Sequence, residues 1–116
     1  LIKLINEPIV QVGITGEKQL VDDFRTNLPI SELKALLKEC RTWIGVDSFF
    51  QHLGWIENKK GIVLWGPSDP LIFGHPENVN LLKDRALLAP NQFLWWEQTE
   101  CNDERFVEPN EVIKYL

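Results

Sequence analysis

Apolar runs alternate along this chain with stretches in which apolar residues recur every third or fourth position, and the two patterns predict strands and helices in turn. "PIVQVGIT", Pro8 to Thr15, is rich in β-branched residues and stops at Gly16, which predicts a buried strand and a turn. "GEKQLVDDF" puts Leu20, Val21 and Phe24 at helical spacing, predicting a short helix that stops before "RTNLP", with Pro29 closing the connection. In "SELKALLKECR" the residues Leu33, Leu36, Leu37 and Cys40 form an i, i+3, i+4, i+7 stripe among charged neighbours, the pattern of an amphipathic helix. "TWIGV" reads as a short strand, the stretch from Ser48 to about Ile56 as a helix, and "GIVLW", Gly61 to Trp65, as a strand buried on both faces. The loop "GPSDP" follows, then a further short strand in "NVNLL", Asn78 to Leu82, turns around Pro90, and a last helix from about Pro109. "NQFLWWEQTECNDERF" has no clear period, and its paired Trp95 and Trp96 are expected to cover a sheet edge or a helix.

Strands alternating with helices over short links predict an α/β fold, a Rossmann-like parallel sheet with flanking helices. At 116 residues and 44% hydrophobic content the chain is expected to form a single domain, residues 1–116, with a core of its own. A formal net charge of -5 without a basic stripe argues against nucleic acid as a partner. No apolar run approaches the roughly 20 residues of a membrane span, and the first residues lack the basic-then-apolar plan of a signal peptide. Cys40 and Cys101 lie far apart, outside any zinc or disulfide spacing, so reduced thiols and a cytoplasmic setting are expected. The chain begins at Leu1 and contains no methionine, which points to a segment of a longer protein.

Parallel sheets bind ligands beyond the carboxyl ends of their strands, which selects "TGEK", "DSFFQH" and "GPSDP" as the candidate segments. Ser48 stands at a helix start, where unpaired amides and the helix dipole attract an anion such as a diphosphate. His52 lies one turn further on, on the same face. The same residues also fit a plainer role, with Asp47 or Ser48 capping the helix and His52 structural, and the residues alone leave both readings open. Glu17 fits a helix start as readily as a ribose hydroxyl contact, and "GPSDP" is made of ordinary turn formers. His52 and His75 lie in unrelated segments without a matching cysteine or carboxylate spacing, so no metal site is expected, and GxSxG, GxGxxG and P-loop motifs are all absent.

Taken together, "LKALLKECRTWIGVDSFFQHLGW" and "KKGIVLWGPSDP" closely resemble the C-terminal half of glycosyltransferase family 9, the heptosyltransferase-like ADP-heptose transferases. Asp47, Ser48 and His52 match that family's aspartate, hydroxyl residue and histidine in identity and spacing, and Gly66, Ser68 and Pro70 match its later loop. The resemblance spans roughly residues 10–70. It implies the C-terminal, donor-binding half of a GT-B enzyme, in which two Rossmann-like domains face each other across a cleft. Asp47, Ser48 and His52 would then contact the diphosphate and sugar of a nucleotide-sugar donor, with an ADP-sugar favoured, while Gly66 and Ser68 line the same pocket. Glu17 would meet the ribose, and the backbone near Leu28 the base. No bound metal or other cofactor is implied, because helix and side-chain contacts hold the leaving diphosphate. The acceptor-binding N-terminal domain, which carries the family's catalytic base, has no counterpart in these residues, so the chain alone is expected not to catalyse transfer. Phe49 departs from the glycine usual after the hydroxyl residue, and with Phe50 it puts an apolar wall where a backbone would approach phosphate. Two rivals remain: a non-catalytic interaction domain presenting Phe49, Phe50, Trp95 and Trp96 as a partner surface, and a fragment of another GT-B nucleotide-sugar enzyme such as an epimerase.

Overall fold

The computed structural model describes residues 1–93 and 102–116, so Trp95, Trp96 and Cys101 lie outside the described residues. Strand β1 (Val10–Gly13) pairs in parallel with β2 (Asp23–Thr26), Val10 opposite Asp23. A second parallel sheet has the order β3 (Ile44–Val46), β4 (Ile62–Trp65), β5 (Val79–Leu82). Helix α1 (Ile30–Glu39) leads into β3, α2 (Phe49–Ile56) joins β3 to β4, and the short α3 (Pro70–Phe73) joins β4 to β5. Helix α4 (Pro109–Ile113) follows near the C-terminal end. The α/β class and the parallel pairing are as the alternation of patterns predicts, although the strands fall into two sheets.

The helix expected over "GEKQLVDDF" does not form. Its backbone groups are taken by the side chain of Gln11 on β1, whose Nε2 donates to Lys18 O (2.9 Å) and whose Oε1 accepts from Leu20 N (2.7 Å). Gln19 Nε2 donates to Val21 O (2.9 Å), and Asp23 to Thr26 pair with β1 as β2. Side-chain amides that satisfy backbone groups in an extended conformation compete directly with a helical ladder.

The core joins Leu33 and Leu37 of α1, Trp43, Leu53 of α2, and Val63 and Trp65 of β4, with Val12 and Leu28 packed against it. Trp43 is the floor under α2. Its indole Nε1 donates to Lys59 O (2.9 Å), and its ring meets Phe50 edge to face with centroids 5.5 Å apart. Gly54 on α2 and Gly61 before β4 lie directly on that ring, so close that a Cβ at either position would collide with it. Helix α2 therefore settles onto β3 and β4 at a separation only glycine permits. The helix stops where Asn58 takes a left-handed conformation (φ 55°) and Lys59 N reaches back to Gly54 O (2.8 Å), the usual device for ending a helix. The same Lys59 offers its carbonyl to Trp43, so helix stop and floor are one arrangement.

Two substitutions test this. Trp43→Ala should cost about 3–5 kcal/mol of stability and Gly61→Ala about 1–3 kcal/mol, read by urea unfolding followed by circular dichroism. Because both act on one contact, Trp43→Ala combined with Gly61→Ala should cost less than the two single changes added together.

Candidate functional site

Val46 pairs with Leu64, so Asp47 and Ser48 leave β3 beside the point where Gly66 leaves β4. Parallel strands put both exits on one edge, the carboxyl edge where α/β sheets bind ligands. The site is thus two neighbouring loops with the N-terminus of α2 rising from the first.

In the first loop Ser48 caps α2, its Oγ accepting from Phe50 N at 3.4 Å, a long contact for a cap. The Asp47 carboxylate accepts from Gln51 Nε2 (2.8 Å), and that fully buried amide also lies 3.5 Å from Phe73 O on α3. The capping role and the exposed helix start coexist here, because one cap leaves other first-turn amides free. The two phenylalanines divide. Phe50 is half-buried on Trp43, while Phe49 is 60% exposed and meets Phe50 edge to face at 6.2 Å. Of the apolar surface expected of a partner-binding module, only Phe49 stands free at this edge, and Trp95 and Trp96 lie outside the described residues. His52 is exposed one turn along α2, its Nδ1 2.8 Å from His75 Nε2. The His75 ring stacks on Trp55 with centroids 4.8 Å apart and planes 8° from parallel.

The second loop is held rigid from outside. Gly66 is buried against the Phe106 ring, and Ser68 is half-buried. Pro67 O accepts from Gln92 Nε2 and from Ala89 N, each at 2.9 Å, while Asp69 N donates to Gln92 Oε1 (2.7 Å). The buried Asp69 carboxylate caps α3 through Leu71 N (2.9 Å) and takes both arms of the Arg85 guanidinium, at 2.7 and 3.1 Å. Pro70 at the first helical position needs no amide partner, and Asp followed by Pro is a helix-start signal. The Arg85 guanidinium, and after it the Leu71 amide, hold the Asp69 carboxyl below the usual carboxylate range.

Glu17 and Leu28 follow β1 and β2, the strands of the other sheet. Glu17 Oε2 accepts from Ile14 N (3.3 Å) over Gly13, and Leu28 lines a shallow cavity of about 230 Å³ with Arg25, Glu32, Ala35, Leu36 and Glu39. Among the described residues neither is hydrogen-bonded to the two site loops. The structure sets Asp47, Ser48, Phe49, Phe50 and His52 beside Gly66 and Ser68 at one sheet edge, and places Glu17 and Leu28 after the strands of the other sheet. It adds Gln51, Asp69, His75, Arg85 and Gln92, which the sequence pattern did not single out as site residues. Only Asp69 carried a local sign, its place before Pro70.

A parallel α/β domain with paired loops at its carboxyl edge is the kind of scaffold that nucleotide-dependent transferases use. The family model of glycosyltransferase family 9 (heptosyltransferase) matches residues 18–108, and the chain belongs to that family. The match takes in both site loops and Leu28, and begins one residue after Glu17. No curated protein and no solved structure matches the chain.

The Asp69–Arg85 pair has a pH signature. A carboxyl whose folded pKa is depressed contributes stability that is fully present above its unfolded value of about 3.9 and is lost as pH falls through the folded value. Arg85→Leu should lower the urea midpoint at pH 7, and its difference from the unsubstituted protein should narrow as the pH is taken below about 4. A difference of constant size across that range would show that the ion pair does not support the loop.

Proposed function

We propose that this chain is the donor-binding, C-terminal part of a GT-B glycosyltransferase and that its ligand is a nucleoside diphosphate sugar. The observation that supports this most directly is the meeting of the Asp47–Ser48 loop, the α2 N-terminus and the Gly66–Asp69 loop at one sheet edge. Membership of the family supports the donor class, and the likeness of Asp47, Ser48 and His52 to the heptose transferases favours an ADP-sugar.

The parts divide by charge. The α2 N-terminus carries partial positive charge, so the diphosphate belongs against its first amides, with the Ser48 hydroxyl donating and His52 one turn away. Asp47 is an anion at the same place and would repel phosphate, so its free lone pairs suit the hydroxyls of the sugar. The second loop, fixed by Asp69, Arg85 and Gln92, supplies a wall at Gly66 and Ser68 that costs little ordering when the donor arrives. In transfer, an acceptor hydroxyl attacks the anomeric carbon, the bond from that carbon to the diphosphate oxygen breaks, and negative charge grows on the diphosphate. Groups aimed at that oxygen from a helix start stabilise the charge as it develops. The base that takes the acceptor's proton, and the acceptor itself, belong to a second domain facing this one. We assign the protein to the cytoplasm, in keeping with a chain built on thiols rather than a disulfide framework. Phe49, standing where the family has glycine, narrows the approach to phosphate and is the residue most suited to tuning which donor enters.

Titration with ADP-, UDP- and GDP-sugars, followed by backbone amide shifts, should perturb Asp47 to His52 and Gly66 to Asp69 together, most strongly with an ADP-sugar. No response at Asp47 to His52 with any nucleotide sinks the reading. Ser48→Ala should weaken binding by about tenfold or more, the worth of one hydrogen bond to a charged group, and Phe49→Gly should change the order of preference among the nucleotides.

A further inference from the structure

We infer that His75 is a positioning residue for His52, holding it in its Nε2–H tautomer and making that nitrogen a hydrogen-bond donor to an anionic oxygen. A neutral imidazole has one donor nitrogen and one acceptor nitrogen. With His52 Nδ1 and His75 Nε2 only 2.8 Å apart, one proton lies between them, and two arrangements satisfy that. Either both rings are Nε2–H and His75 donates, or both are Nδ1–H and His52 donates. The Nε2–H form is the intrinsically favoured tautomer of a histidine side chain, so the first arrangement is favoured at both rings at once. The hydrogen bond made by one ring nitrogen fixes the role of the other.

The fold presents His75 for this task. Its ring is stacked on Trp55, one turn of α2 beyond His52. Its carbonyl accepts from Asn80 Nδ2 (2.9 Å) and from Asn78 N (3.1 Å). Asn80 in turn accepts from the indole of the fully buried Trp65 through Oδ1 (2.9 Å). A donor anchored to the buried floor thus meets His52 on the surface helix. The consequence for chemistry is definite. An Nε2 that carries its proton neither abstracts one nor coordinates a cation, and it is matched to a phosphoryl oxygen. The assignment of the ligand rests on the donor-site reading, whereas the assignment of the tautomer does not.

The chain has two histidines, so a two-bond ¹H–¹⁵N correlation spectrum of the ¹⁵N-labelled protein, taken where both rings are neutral, shows these two rings alone. Both should display the Nε2–H pattern. His75→Phe keeps an aromatic ring for Trp55 but removes the donor, and should move His52 to a mixture of tautomers. His75→Gln, whose amide can donate, should restore the Nε2–H pattern. Nucleotide-sugar affinity should fall by less than about twofold in His75→Phe, because the competent Nε2–H form remains the majority tautomer of a free histidine ring, and recover in His75→Gln. Nδ1–H patterns in the unsubstituted protein, or a His52 tautomer unchanged in His75→Phe, overturn the inference. The expected tautomers with no response of His52 to any nucleotide overturn the donor-site reading and leave the positioning role standing.

Discussion

The contact between the Trp43 ring and the two glycines above it governs the geometry of this domain. A helix packed on a sheet normally stands off by the depth of the side chains between them. At Gly54 and Gly61 that depth is reduced to a single indole ring, and the indole is tied by its nitrogen to the carbonyl where the helix ends. The height and tilt of α2 are therefore fixed from both ends of one side chain. Everything proposed for the first site loop depends on that height, since the free amides beyond Ser48 reach only as far as the helix carries them.

A second buried tryptophan does comparable work for the other side of the site. Trp65 bonds Asn80, Asn80 holds the backbone at His75, and the segment after α3 is set in place from the core. The polar tip of each tryptophan finds a partner, as burial of an indole N–H requires. The two loops are thus supported by different strategies. The first stands on apolar packing against an aromatic floor, and the second on a lattice of charged and amide hydrogen bonds from Asp69, Arg85 and Gln92. Packing involves no ionised group, whereas the lattice depends on an ionised carboxylate.

Much of this was legible in the residues. The Leu33–Leu37 stripe of α1 and the continuous apolar run of β4 are burial patterns, and burial decides those two elements. The helix expected between residues 16 and 24 failed because its spacing was coincidental. Leu20 is exposed, and a glutamine on the neighbouring strand took the backbone groups that a helix would have used. Helix α3 has four residues, too few for any period to register. Of the candidate site, Asp47, Ser48 and His52 could be found because they lie within six consecutive residues. His75, Arg85 and Gln92 reach it from 16 to 25 positions away from the site groups they bind, a distance across which no local rule connects them.

The division of the strands into two sheets has a mechanical side. The β1–β2 pair and the β3–β5 sheet share a core through Val12 and Leu28, and no ladder of backbone hydrogen bonds joins them among the described residues. A ladder is directional and breaks if its strands slide by one residue, but apolar side chains in contact hold against separation while yielding to small lateral shifts. The seam between the sheets is accordingly closed by side chains alone among the described residues, and Val12 and Leu28 tie the first sheet to the same apolar cluster that holds Trp43.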